Sequence, residues 1–285
     1  MSERIDFHGL PAIAWRTQDG ASAIATLQGA QLVSWIPAGG DEALFVSERS
    51  AFEAGKAIRG GIPVCFPQFA DRGPLPQHGF ARNQPWTFVG LTEAGGSACA
   101  TFMLENSPGT VAPWPHAFRI ELAATIGAAR LEVRLRIVNA GGAAWPFTAA
   151  LHTYFRLRDS GLSRLHGLHG TRYVNRGSTD PATEGREAIP AGEAIDRVYF
   201  APPPATRLDD GDRVLHIGQR GFTDTVVWNP GRERASQMPD MPTGAERHML
   251  CVEAAAIEPA VRLEAGAEWS GVQSIIASYP TMGSS

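Results

Sequence analysis

Four short segments hold side chains able to move protons or grip an anion. In Met249-Leu250-Cys251-Val252-Glu253-Ala254-Ala255 a glutamate interrupts an apolar run. On a strand, alternation sets Glu253 on one face with Cys251 and Ala255. Carboxylates are almost never fully buried unless paired, so Glu253 needs a partner or a task. Burial without a cation would raise its pKa toward neutrality, as a general base requires. An edge position facing water is the weaker reading. In Ala149-Ala150-Leu151-His152-Thr153-Tyr154-Phe155, His152 would share a strand face with Ala150 and Tyr154. Such an imidazole is either a hydrogen-bonded core residue or a proton-transfer group, and for a lone histidine the core role is the commoner. Arg59-Gly60-Gly61-Ile62-Pro63 joins a guanidinium fork suited to phosphate or carboxylate to two glycines. Glycines let a backbone approach a ligand or take positive φ, although a plain Gly-Gly turn beside a surface arginine is the commoner arrangement. Gln77-His78-Gly79-Phe80-Ala81-Arg82 gathers an amide, an imidazole and a guanidinium after the loop-like Asp71–Pro76. It is either a polar site carried by a sheet or an ordinary hydrophilic loop.

The elements that must position these segments read as strands. Short apolar runs recur at 23–27, 31–36, 86–91, 98–104, 118–126, 131–138, 145–155, 213–217, 225–228, 249–254 and 273–278, punctuated by Gly, Pro and Asp. That pattern predicts an all-β sandwich or barrel. Leu131, Val133, Leu135 and Ile137 alternate with Glu132, Arg134 and Arg136, as in a half-solvated antiparallel strand. Asp209-Asp210-Gly211-Asp212 predicts a hairpin turn and Asn229-Pro230-Gly231 another turn. Sustained helical periodicity is missing; residues 46–57 are expected to form a short helix or a turn. With no linker, low-complexity segment or internal repeat, one domain over residues 1–285 is expected, a length that β-sandwiches reach.

Composition narrows the function. Across 285 residues, Lys+Arg 25 against Asp+Glu 29 gives a net charge of -4, so there is no basic surplus to drive nucleic-acid binding. No apolar run approaches the ~18 residues of a membrane span, and Met1–Asp6 lacks the apolar core of a signal peptide. The three cysteines Cys65, Cys99 and Cys251 form no CxxC pair, which makes a reduced, cytoplasmic setting the simplest expectation. There is no GxGxxG, Walker loop, GxSxG or HExxH. His166 and His169 form an HxxH without a third ligand nearby in sequence, so no metal site is expected there.

In this order, the segments resemble the hexose-6-phosphate mutarotases (glucose-6-phosphate 1-epimerases) of the aldose 1-epimerase superfamily. The resemblance also takes in Gly29-Ala30-Gln31-Leu32-Val33-Ser34-Trp35, Leu44-Phe45-Val46-Ser47, Asp196-Arg197-Val198-Tyr199 and Val227-Trp228-Asn229-Pro230. It implies a galactose-mutarotase-like β-supersandwich. It implies His152 as general acid and Glu253 as general base. It further implies Arg59, Gln77, Arg82 and Asp196 as sugar-phosphate-binding residues, with His78 at the sugar ring. Phe66 and Gln68 stand where tryptophans are common in the family, and Ala254 where threonine often follows the glutamate; these departures bear on sugar preference more than on catalysis. The implied activity is interconversion of the α and β anomers of a hexose 6-phosphate, with no cofactor and no metal, by a cytoplasmic monomer whose partner is a small sugar phosphate. The alternatives are an epimerase of unphosphorylated aldoses and a non-catalytic carbohydrate-binding or sensor protein on the same fold. A glycosidase would need two carboxylates flanking a bond, and Asp196 with Glu253 is the one pair available for nomination.

Overall fold

The computed structural model describes residues 1–279. Strand Arg130–Asn139 shows the period of two that its sequence demands: Leu131, Val133, Leu135 and Ile137 are buried and Arg134 faces water. It lies inside a nine-stranded antiparallel sheet whose other long members are Thr87–Ala94, Ser97–Glu105, Phe118–Gly127, Glu268–Ser278, Arg213–Arg220 and Ala205–Asp210. An eight-stranded antiparallel sheet runs through Val64–Cys65, Trp145–Leu151, Met249–Leu263, Asp224–Asn229, Ile195–Phe200, Arg172–Asn175 and Ala182–Thr183, with Tyr154–Arg156 paired to the same long strand. A third sheet of four strands comes from the first part of the chain, Ser2–Phe7 to Leu32–Ile36. Side chains from all three meet in one core, among them Trp15, Trp35, Phe102, Leu135, Leu151 and Val252.

The all-β reading holds, and each apolar run named from the sequence lies on a strand. Asp210 pairs with Arg213 across the expected hairpin turn. Asn229-Pro230-Gly231 turns the chain into the short helix Gly231–Ser236. Residues 46–57 form no helix: Val46 bridges Gly60, the Ser47 N–H donates to the Arg59 carbonyl, and turns fill the rest. Several short strands escaped the sequence, including Leu10–Arg16, Arg172–Asn175 and Ile195–Phe200. No helix among the described residues is long and apolar enough to cross a membrane.

The eight-stranded sheet separates core from site. Along Met249–Leu263 the first nine residues are all buried, but to two different ends. Val252, Ala254 and Ala256 point into the main core. Ala255 joins a separate apolar patch with Ala150, Val198 and Val226 on the opposite face, the face that Cys251 and Glu253 share by alternation.

Gly60 and Gly61 serve this frame rather than a ligand. Gly60 has φ +122 and Gly61 φ +62. A Cβ on Gly60 would lie 2.3 Å from the Phe45 carbonyl oxygen, and one on Gly61 2.0 Å from that of Leu32. The Gly61 N–H donates to Phe45 O and the Ile62 N–H to Leu32 O. The segment is therefore laced against two neighbouring segments at backbone contact, which fixes where Arg59 leaves the main chain. Gly61→Ala meets both positive φ and a backbone clash, and should lower stability by at least about 2 kcal/mol. A urea unfolding midpoint within error of wild type would contradict this account.

Candidate active site

Strand register builds the centre of the site. Leu151 lies opposite Ala254 and Tyr154 opposite Cys251, so register carries across the two-residue break and sets His152 opposite Glu253. The break is held from three sides. The His152 N–H donates to Pro63 O, the Val252 N–H donates to Thr153 O, and Thr153 Oγ1 donates to Gln273 of the other large sheet. Gln273 Nε2 in turn donates to Val252 O at 3.0 Å. The next strands continue the same rows: Glu253 faces Val226 and then Val198, while Cys251 faces Trp228 and then Asp196. The two residues read from separate apolar stretches are thus cross-strand neighbours on one face.

His152 Nδ1 stands 3.4 Å from Glu253 Oε1, longer than an ordinary hydrogen bond. The two residues are only 7% and 1% exposed, and neither His152 Nδ1 nor Glu253 Oε2 has a hydrogen-bond partner. Burial raises the Glu253 pKa well above the usual carboxylate range; Asp196 adds to the rise and Arg82 opposes it. Burial also drives the His152 pKa well below the usual imidazole value, helped by His78, Arg82 and Arg59. Without a ligand, both groups therefore lean toward their neutral forms. The His152 ring stacks on Tyr154, with centroids 4.8 Å apart and planes 9° from parallel.

Glu253 and His152 line a cavity of about 280 Å³, at the small end of ligand pockets. All seven residues singled out from the sequence line it: Arg59, Gln77, His78, Arg82, His152, Asp196 and Glu253. His78 is buried beside His152, ring centroids 5.2 Å apart. Its Nδ1 accepts from the Ala70 N–H at 3.3 Å, which assigns the proton to Nε2 and makes that atom a donor. Burial and then Arg82 push the His78 pKa down to about 3, so it stays neutral at physiological pH.

Arg59 is heavily engaged. Its Nε and Nη2 both meet Asp240 Oδ2, at 3.0 and 2.9 Å, and Nη1 donates to the Tyr154 hydroxyl at 3.1 Å. Asp196 Oδ2 sits between two rim arginines, 3.1 Å from Arg234 Nη1 and 3.7 Å from Arg176 Nη1. Desolvation raises the Asp196 pKa, with those two arginines opposing the rise. Arg72 pairs with Glu258. Among the five arginines that line the cavity, Arg82 is the one without a carboxylate partner among the described residues; its Nη2 donates to the Gln77 carbonyl at 2.9 Å. Sequence reasoning missed Tyr154, Trp228, Arg176, Arg234 and Asp240. Tyr154 and Trp228 lay inside quoted segments, whereas Arg176, Arg234 and Asp240 carry no local signal. His166 and His169 do not converge: the first pairs with Asp209 and the second with Glu187.

The chain thus forms an antiparallel β-supersandwich with a buried histidine–glutamate pair in a small cleft lined by arginines. Residues 11–275 match the aldose 1-epimerase family, and the chain belongs to it. It is 35% identical over 274 residues to a protein of Cenchrus ciliaris named "Putative glucose-6-phosphate 1-epimerase", covering 92% of this chain and 83% of that one. A protein of the same name from Escherichia coli K12 is 37% identical, covering 80% of this chain and 78% of that one. The crystal structure of a "putative mutarotase (YeaD)" from Salmonella typhimurium superposes with TM-score 0.88 at 29% identity, over 97% of this chain and 93% of that one.

The raised Glu253 pKa makes a stability prediction. A carboxyl that holds its proton more tightly when folded destabilises the fold increasingly as pH rises from the unfolded value toward the folded one. Glu253→Gln cannot ionise. It should match wild type near about pH 4 and exceed it near about pH 8, by about 1.4 kcal/mol for each tenfold difference in proton affinity between folded and unfolded chain. Urea unfolding at the two pH values checks this; an advantage that fails to grow with pH would contradict it.

Proposed function

We propose that the chain interconverts the α and β anomers of a hexose 6-phosphate, with glucose 6-phosphate as the substrate named for its relatives. The observation that carries this reading is the buried His152–Glu253 pair, 3.4 Å apart, on the floor of a cleft lined by five arginines. Anomer exchange needs one proton taken from the anomeric hydroxyl and one delivered to the ring oxygen. Glu253 as carboxylate takes the first and His152 as imidazolium gives the second. The ring opens, the aldehyde turns about the C1–C2 bond, and the two transfers run backward on the other face. The pair holds one proton more on Glu253 and one fewer on His152 while the ring is open, so its total never changes and no outside acid or base is consumed.

A phosphorylated substrate also suits the electrostatics. Burial is the main cause of the lowered His152 pKa, and Arg82 and Arg59 add to it; a dianion offsets the arginine part, which favours the imidazolium that the reaction uses. Arg82, unpaired with any carboxylate among the described residues, is the phosphate's first partner, and Arg59, Arg176 and Arg234 are reached only in competition with Asp240 and Asp196. His78 Nε2–H and Gln77 supply neutral hydrogen bonds to the sugar. The three cysteines are free thiols, which supports a reducing, cytoplasmic setting; a monomer acting alone is part of the same reading.

Glu253→Gln should nearly abolish mutarotation of glucose 6-phosphate, and His152→Asn should lower kcat by about 10²–10⁴-fold with little change in KM, because each proton transfer acts in the transition state. Polarimetry on folded variants decides; near-wild-type turnover in either removes that residue from the mechanism. Arg82→Ala should lower kcat/KM for glucose 6-phosphate by roughly ten- to a hundredfold relative to glucose, the worth of a charge-assisted contact. Arg59→Ala should change that ratio less. Equal losses for both sugars in Arg82→Ala would favour an epimerase of unphosphorylated aldoses.

A further inference from the structure

The proposed reaction leaves Cys251 without a role, yet its Sγ belongs to a set of three donor atoms. Cys251 Sγ, a His152 ring nitrogen and a Glu253 carboxylate oxygen lie within 4.8 Å of one another, and all three residues are buried. It is the one such group of His, Cys, Asp and Glu among the described residues. Register produces it: Cys251 and Glu253 are two residues apart on one strand face, and His152 enters from the neighbouring strand. The same residues carry two buried atoms with no hydrogen-bond partner, His152 Nδ1 and Glu253 Oε2. Buried polar groups of this kind are costly unless something satisfies them.

We infer that His152, Cys251 and Glu253 form a binding site for a borderline divalent transition-metal ion such as Zn²⁺, and that the ion blocks the acid–base pair. A nitrogen, a thiolate sulfur and a carboxylate oxygen are the ligands such an ion takes, whereas Mg²⁺ and Ca²⁺ select oxygen sets. Bonds of about 2.0–2.3 Å in tetrahedral geometry place neighbouring ligand atoms roughly 3.3–3.8 Å apart. His152 Nδ1 and Glu253 Oε1, at 3.4 Å, already stand so. The charges balance: a dication meets one thiolate and one carboxylate, and the protons those groups carried leave to solvent. His152 and Glu253 line the cleft, so the fourth position opens toward water or a sugar hydroxyl. An ion held there occupies the atoms proposed to carry protons, and it competes with substrate rather than assisting it. Binding itself does not depend on the proposed reaction; the inhibition does.

Co²⁺ titrated into the chelator-treated full chain tests the site directly. The expected result is one equivalent bound with a near-ultraviolet thiolate-to-cobalt absorption band, displaced by Zn²⁺. Cys251→Ala should lose the band and weaken Zn²⁺ binding by at least about tenfold, keep its metal-free mutarotation, and resist the Zn²⁺ inhibition expected of wild type. Should that variant fail to fold, His152→Gln must weaken Zn²⁺ binding, read by competition with a chromophoric chelator, by a similar factor. Absence of binding to wild type, or binding that survives both substitutions, overturns the inference. Metal-free mutarotation tests the proposed function alone, and the cobalt band tests the site alone, so failure of one is told apart from failure of the other.

Discussion

Two titratable groups face each other on a buried sheet surface at the base of a cleft, and neither ionises readily there. Glu253 and His152 are both deeply buried, Glu253 Oε2 and His152 Nδ1 have no hydrogen-bond partner, and the proton affinities of the two groups are pushed in opposite directions by the same burial. Much of the surrounding structure maintains that condition. The strand break at His152 and Thr153 is pinned by the Thr153–Gln273 contact and by backbone hydrogen bonds to Pro63 and Val252. Tyr154 stacks on the imidazole and so limits how the ring can turn.

Glu184 shows that burial alone does not produce such a group. It is 3% exposed, nearly as hidden as Glu253. Its oxygens accept from Arg186, Arg197 and the Tyr199 hydroxyl. Arg186, chiefly, holds its pKa down to about 2. Glu184 is satisfied and lies outside the cleft, tying its own loop to the strand Ile195–Phe200. Glu253 lacks such partners and sits on the cleft floor. A desolvated carboxyl whose proton affinity is raised beside an imidazole is what acid–base chemistry requires.

Around this floor the charges are balanced rather than merely accumulated. Asp240 engages Arg59, Asp196 lies between Arg176 and Arg234, and Glu258 meets Arg72. The Trp228 ring has the Arg59 and Arg234 guanidiniums each 6.0 Å from its centroid, a cation–π distance. The arrangement keeps cations at hand for an anionic ligand while limiting the field on His152. It also explains why Arg59 and Arg82, alike in sequence as lone arginines beside glycine or alanine, differ in what they have free to offer.

Much of the fold was legible before any coordinates. Alternation along residues 131–137 and the punctuated apolar runs require strands because a period of two buries one face. The short strands such as Arg172–Asn175 and Ile195–Phe200 were not, since a few residues with mixed polarity carry no period. Glu253 and His152 stood out as polar groups in apolar runs, and Gln77–Arg82 as a polar cluster; their family resemblance supplied roles, and Asp196 came from that resemblance alone. What alternation could settle was which residues share a face, including Cys251 with Glu253. It could not settle which strand lies alongside, or in what register, because pairing is made by hydrogen bonds between segments far apart in the chain. Only the tertiary structure set His152 opposite Glu253, brought Asp240 to Arg59, and left Arg82 without a carboxylate. Those outcomes depend on distances between residues that the linear order does not constrain.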